Sequence, residues 1–331
     1  MGAGALPTAA QESRWKELNN QAVTLYEQGK YAEAIRLSLA VLRIAEETYD
    51  LRIVSSTKDL LRQPSQAASA TAVLAGNPQF DLQEAQQRAA TAKLTPGQPA
   101  SPAAAGLRSR DQQPTALNPL PGTETEVRAI TALLEVHKWQ VRAYLQSAAL
   151  EDTVKQVKAP RVLHVATHGF FLANQQAGRG SDAPGLIEDP MLRSGLYFAG
   201  ADRTLAGKPP TELEDGVLTA YEATGLNLQG TELVVLSACE TGLGETQNGE
   251  GVFGLRRALQ VAGAESVLMS MWSVPDRETQ ELMARFYTKW LDGMEKHLAL
   301  RKAQIEMREA VRQRYGRDLP FYWGAFVLVG R

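Results

Sequence analysis

Residues 161–169 read RVLHVATHG and residues 232–244 read ELVVLSACETGLG. In each, a short apolar run ends at a chemically active side chain, His168 in the first and Cys239 in the second. Runs apolar on successive residues predict strands covered on both faces, as in the centre of a parallel sheet. In open α/β sheets the ligand crevice lies beyond the carboxyl ends of the strands. If the two strands are neighbours, their axes lie about 4.8 Å apart. Imidazole and thiol then meet at one lip of the sheet.

The chemistry fits that placement. A free thiol titrates near pH ~8.5 and is mostly protonated at neutral pH. A histidine within reach takes that proton and later returns it to a departing amine. Backbone donors must hold the oxyanion that develops between these steps. Gly169 lets a peptide approach closely with its N–H inward, and the N–H of Cys239 is the second donor. Gly242 and Gly244 let the chain turn away without a side chain in the path of a substrate. A blander reading exists for each residue: a lone cysteine after a strand is usually a small buried hydrophobe, and a lone histidine a satisfied polar group. His164, inside its strand, is read in that second way. No third catalytic member is evident.

Outward from these segments, strand and helix alternate. Strands are expected at 72–75, 140–144, 161–167, 233–237, 266–272 and 325–329. Helices are expected at 124–137, 150–157, 213–224, 251–261, 277–290 and 298–315. This order argues a mostly parallel sheet with helices on both faces. Two polar stretches, 77–122 and 173–210, read as surface loops, the first with a short helix at 81–92. Their length beside the crevice makes them candidates for control of activity, a role that deletion or cleavage without effect would exclude.

Residues 1–13 read as a flexible N-terminus and 51–70 as a linker. Between them, 14–50 carry apolar residues at helical spacing with Gly29 as a break. The pattern of Trp15, Leu18, Ala22, Tyr26, Gly29, Tyr31, Ala34 and Ile35 resembles one tetratricopeptide repeat, a helical hairpin. About three such repeats are needed for stability alone, so the hairpin is expected to pack on the main domain or on a regulatory protein partner, or to be the remnant of a longer array.

Composition narrows the function. The 331 residues suit one large α/β domain with a small appendage, and the formal charge of −2 gives no electrostatic grip on nucleic acid or an anionic membrane. One cysteine forbids an intrachain disulfide, and one cysteine with four histidines argues against a structural zinc site. No apolar run approaches the roughly 20 residues of a membrane span, and residues 1–10 lack a secretory pattern. A cytoplasmic, reducing location is therefore expected. Gly249, Gly251 and Gly254 spell GxGxxG, but a dinucleotide fingerprint turns directly from strand into helix, and here a stretch of chain separates Ser237 from Gly249.

More of the chain carries a family resemblance. ATHGFF, LSACETGLG and the intervening EDGVLTAYEATGLNL resemble the CHAT domain, a caspase-like peptidase often found with tetratricopeptide repeats. PGTETEVRAITALL resembles its early helix, GEGVFGLRRALQVAGAESVLMSMWSVPD the segment after its cysteine, and FYWGAFVLVG its closing strand. The resemblance runs from about residue 72 to 330 and covers residues 71–331 as a domain. It implies a caspase-like three-layer α/β sandwich and a cysteine endopeptidase that cleaves protein or peptide substrates through a thioester. His168 and Cys239 are then the dyad, and no metal or organic cofactor is required. The alternatives are an inactive interaction scaffold and, more distantly, a nucleotide-binding domain. MWSVPDRET is similar to the segment after the separase nucleophile, which makes Asp276 the candidate acidic floor of the pocket preceding the scissile bond. The competing role for Asp276 is to cap the helix from Arg277. Asp215 and Glu240 are further acidic candidates beside the site.

Overall fold

A computed structural model describes residues 9–30, 33–34, 36–38, 70–94, 116–172, 189–237, 239–240, 250–272 and 274–330. The chain divides into two compact units, Met1–Ile53 and Val54–Arg331. In the first, helix α1 spans Ala9–Glu27 and ends at a turn where Gly29 takes φ +73°, a left-handed conformation that glycine adopts freely. Helical backbone resumes at 33–34 and 36–38. The remainder of the expected hairpin, residues 39–50, and residues 51–69 of the expected linker lie outside the described residues.

The second unit is built on a six-stranded sheet. Its strands are β1 (Thr71–Pro78), β2 (Gln140–Gln146), β3 (Val162–Ala166), β7 (Leu233–Leu236), β9 (Ser266–Ser270) and β10 (Phe326–Gly330). They lie in the order β10-β9-β7-β3-β1-β2. Every pairing is parallel except β9 with β10 at one edge. β3 and β7 are buried at every position, as expected for strands covered on both faces.

Alternation along the strands sorts their side chains onto two cores. Leu74, Val162, Val235 and Leu268 face one side, packed with Ile130, Leu134, Leu282 and Phe286 of helices α3 (Pro121–Val136) and α8 (Asp276–Leu291) and with α9 (Lys296–Tyr315). Leu163, Val165, Leu236 and Met269 face the other side, against α6 (Ala220–Ala223) and α7 (Glu250–Val261). The result is the expected three-layer α/β sandwich with a mostly parallel central sheet.

β2 lies on one side of β1, and β3, β7 and β9 follow on the other. The chain direction across the sheet therefore reverses between β1 and β3. In doubly wound sheets, such a reversal opens a crevice at the strand ends.

A second, four-stranded sheet of order β6-β5-β4-β8 rises from that end. It contains β4 (His168–Phe171), β5 (Ser194–Tyr197), β6 (Val217–Thr219) and β8 (Cys239–Glu240). Its presence corrects two sequence expectations. The stretch 173–210 is not all surface loop: β5 is wholly buried, and helix α5 (Ala201–Leu205) follows it. β5 is short, and Gly195 interrupts its apolar pattern; a Cβ there would strike the Leu218 carbonyl and the Phe170 ring. The single helix expected at 213–224 is instead strand β6 followed by short α6. Gly216 at φ +82° breaks the chain before β6. Thr219 and Glu222 then form a reciprocal capping box at the start of α6.

The loop expected at 77–122 also holds more structure. β1 continues to Pro78, helix α2 spans Glu84–Leu94, and α3 starts at Pro121, where a missing N–H costs nothing. Residues 95–115 and 173–188 lie outside the described residues. Helix α4 (Glu151–Lys155) links β2 to β3.

Candidate active site

The strands carrying His168 and Cys239 are neighbours twice over. In the large sheet, β3 pairs with β7 in parallel, Val165 opposite Leu236. The Ser237 N–H donates to the Val165 carbonyl at 2.9 Å, extending the ladder beyond the strands. Both chains then cross into the small sheet in unbroken register, so that His168 is the partner of Cys239 and Gly169 of Glu240. Partners on adjacent strands lie about 4.8 Å apart. The two residues singled out in the sequence therefore share one rung at the lip of the sheet. Cys239 and Glu240 are described as strand backbone; Gly242 and Gly244 lie outside the described residues.

The environment of His168 decides which nitrogen can act. Its Nε2 lies 2.8 Å from the Asn118 carbonyl oxygen. A carbonyl only accepts, so Nε2 carries the hydrogen, and in the neutral ring Nδ1 carries the lone pair. Nδ1 is buried and has no hydrogen-bond partner among the described residues. Phe80 stacks on the imidazole with ring centroids 5.3 Å apart, which restricts its rotation. Burial lowers the pKa of His168 below 6.5, opposed by the Asn118 carbonyl and the Asp276 charge. The ring is thus neutral at neutral pH, the state a general base requires.

The small sheet also orients Gly169. Antiparallel pairs alternate between rungs that exchange hydrogen bonds and rungs that do not. The Leu172 N–H donates to the Arg193 carbonyl at 2.7 Å, and the same register places Gly169 opposite Leu196. Three residues from the bonded rung, Gly169 falls on a non-bonded one, so its peptide groups turn away from β5 and toward β8. The neighbouring Thr167 hydroxyl donates to the Tyr197 carbonyl at 2.6 Å, fixing the crossing point.

Asp276 stands across the lip, at the end of the segment that follows β9. The expected capping role does not describe it: the helix begins at Asp276 itself, Pro275 holds the N-cap position, and no side-chain capping bond forms. Its carboxylate packs against Gly122, where a Cβ would collide with it. With Leu120, Thr167 and Ser237 it lines a small depression, and its charge reaches His168.

Beneath that depression runs a buried polar chain. The Ser237 hydroxyl donates to Glu126 Oε2 at 3.0 Å, Glu126 Oε1 lies 3.2 Å from His164 Nε2, and His164 Nδ1 is 3.2 Å from the Tyr287 hydroxyl. His164 is thus a partnered polar residue of the strand interior, as its position suggested.

Asp215 is not brought to this lip. It precedes β6, which the order β6-β5-β4-β8 sets at the edge opposite β8, and its Oδ1 accepts the Val217 N–H at 2.9 Å. Its charge acts instead on Glu151, part of a cluster in which Lys155 bridges Glu151, Glu214 and Glu222. Sequence reasoning missed Asn118, Phe80 and Glu126. Phe80 was within reach of the strand-end rule, since it follows β1; Asn118 acts through its backbone and leaves no side-chain signal.

Gly251 and Gly254 lie within α7, Gly249 lies outside the described residues, and Gly254 packs closely on Ser194. Among the described residues, no helix is long and apolar enough to cross a membrane.

A sequence model of the CHAT domain matches residues 33–331. The chain belongs to the CHAT family. This CHAT chain is 32% identical over 122 residues to human tetratricopeptide repeat protein 28, covering 37% of this chain and 5% of that protein. The mouse protein is 31% identical over the same length, with the same coverage. The chain therefore spans about a twentieth of the length of these relatives. Among solved structures it is similar to the Arg-specific cysteine proteinase gingipain R, at 11% identity and TM-score 0.39, covering 88% of this chain and 51% of that one. It is also similar to a complex of the pro- and mature domains of the Porphyromonas gingivalis enzyme, at 9% identity and TM-score 0.42, covering 87% and 51%.

Proposed function

We propose that this CHAT chain is a cysteine endopeptidase in which Cys239 is the nucleophile and His168 the base. The observation that carries the reading is the shared rung of His168 and Cys239 at the carboxyl lip of the sheet. In this mechanism Nδ1 of His168 takes the thiol proton as sulfur bonds to the substrate carbonyl carbon. The resulting oxyanion is assigned to the N–H groups of Cys239 and Gly169, the latter turning out of its β8 ladder to receive it. The C–N bond then breaks, and the imidazolium gives its proton to the departing amine. Water, deprotonated by His168, hydrolyses the thioester and restores the thiol. The Asn118 carbonyl and the Phe80 ring keep the imidazole aimed, in place of a third side chain.

Asp276 is the selector for a basic residue before the scissile bond, with Glu240 on β8 as the further acidic candidate. Its position in the depression beside Ser237 and its reach to His168 support this role. The tetratricopeptide-like segment is the docking point for a protein that governs activity. The test is turnover of peptide aminomethylcoumarin amides ending in Arg, Lys, Asp or Leu. Wild type should cleave the basic ones best, Cys239→Ala none, and Asp276→Asn should narrow the gap between Arg and Leu. Equal cleavage by wild type and Cys239→Ala would remove the nucleophile from the mechanism.

A further inference from the structure

A cavity of about 410 Å³ opens beyond the ends of β1 and β2. It is lined by Gln79, Phe80, Asp81, Leu117, Gln146 and Asp202, among others. The reading that follows rests on the peptidase function proposed above.

Two observations converge on this cavity, which lies on the β2 side of the β1 end, next to the β1–β3 reversal. It shares a wall with the dyad: Phe80 stacks on the His168 ring, and Leu117 and Pro119 flank the Asn118 carbonyl that accepts from Nε2. Its charge has one sign. Asp81 and Asp202 are the charged residues among the described lining, and neither has an ion-pair partner among the described residues. Asp202 Oδ1 accepts the Leu117 N–H at 2.9 Å. Burial and then the nearby Asp81 charge push its pKa up, so the two carboxylates repel across the cavity. A cation between them would relieve that repulsion.

Position along the lip says which part of a substrate arrives there. The strand order places the ends of β9, β7, β3 and β1 in succession, and with them Asp276, Cys239, His168 and Phe80. The scissile carbonyl must sit over Cys239, with the acyl-side residue toward Asp276. The leaving amine must come within hydrogen-bond reach of His168, because His168 protonates it. The chain downstream of the scissile bond therefore continues past His168, over the β1 end.

We infer that the Asp81–Asp202 cavity is the leaving-side subsite of the enzyme and takes a lysine or arginine side chain. Phe80 and Leu117 would contact the aliphatic stem and the two carboxylates the charged head, in the manner of long basic side chains at half-apolar surfaces. Substrates would then be dibasic, with one basic residue on each side of the cleaved bond.

The test uses quenched-fluorescent peptides with the upstream residue fixed at the best of the coumarin panel and Lys, Gln or Glu placed after the scissile bond. The readout is the Lys:Gln ratio of kcat/KM within each enzyme, so a general loss of activity in a variant cancels. Wild type should prefer Lys by roughly 3- to 20-fold, the product of two partly exposed ion pairs. Asp81→Asn and Asp202→Asn should each lower the ratio, and the double variant should bring it to about 1. A wild-type ratio near 1, a preference for Glu, or a ratio unchanged in both single variants would overturn the subsite. Cleavage of the coumarin amides with no Lys preference removes this inference alone. No cleavage of any substrate removes the peptidase reading and this subsite with it.

Discussion

Removing the carboxylate of Glu126 should cost this fold more than most single substitutions. Glu126 is 2% exposed and His164 fully buried. One carboxylate oxygen accepts from Ser237 at 3.0 Å. The other lies 3.2 Å from His164 Nε2, close enough for attraction but off the line of a good hydrogen bond. In Glu126→Ala both partners lose their acceptor inside the core. A buried polar group left without its partner costs roughly 1–3 kcal/mol, and His164 is one such group. The orphaned Ser237 hydroxyl adds about 1 kcal/mol. With roughly 2–4 °C of melting temperature per kcal/mol for a domain of this size, the expected fall is about 4–16 °C by circular dichroism or calorimetry. The double variant Glu126→Leu, His164→Phe removes both partners at similar volume. It should recover at least half of the loss, because replacing a buried pair by apolar groups is near neutral. A melting temperature for Glu126→Ala within about 2 °C of wild type would refute the reasoning. So would a double variant less stable than Glu126→Ala.

Other expectations follow from the same geometry. Burial holds His168 below its ordinary 6.5, so the unfolded chain binds this proton at higher pH than the folded one. Stability conferred by neutral His168 is full above about pH 6.5 and is lost as pH falls through the folded value; wild type should therefore lose stability faster than His168→Gln in denaturant titrations below that pH. Lys155 lies 2.7–2.8 Å from Glu151, Glu214 and Glu222, so Lys155→Met should destabilise by roughly 3–5 kcal/mol at neutral pH. That penalty should shrink in acid as the carboxylates take up protons, and a penalty independent of pH would count against the cluster's charge. Gly122→Ala drives a methyl into the Asp276 carboxylate and should narrow the preference for Arg over Leu amides; an unchanged preference would separate Asp276 from selectivity.

What the sequence disclosed follows from how locally each signal was written. β7 is apolar at every position and β3 at every position but His164, and such runs identify central strands without help from neighbours. His168 and Cys239 sit at the ends of those runs, so their meeting needed only strand adjacency. β5 and β6 were hidden because strands this short show no periodicity: Gly195 read as loop, and Gly216 and β6 were absorbed into the helix expected at 213–224. Their burial comes from the small sheet as a whole, a contact between distant segments. Asn118 was invisible because its contribution is a backbone carbonyl. Nothing in the sequence sets Glu126 apart from the other acidic residues of the helix expected at 124–137, and the chain from Ser237 to Tyr287 that holds it draws on four elements. Asp215 looked close to the site in the sequence, but the order of the small sheet sets it at the opposite edge.

The central claim is that His168 activates Cys239. Its most direct test is covalent labelling of the full chain by a peptide acyloxymethyl ketone with arginine before the warhead, read by intact mass in wild type, His168→Ala and Cys239→Ala. The expected result is one adduct at Cys239 in wild type, none in Cys239→Ala, and labelling slowed at least about 100-fold in His168→Ala, the scale of general-base catalysis. Equal rates in wild type and His168→Ala, or an adduct that persists in Cys239→Ala, would contradict it.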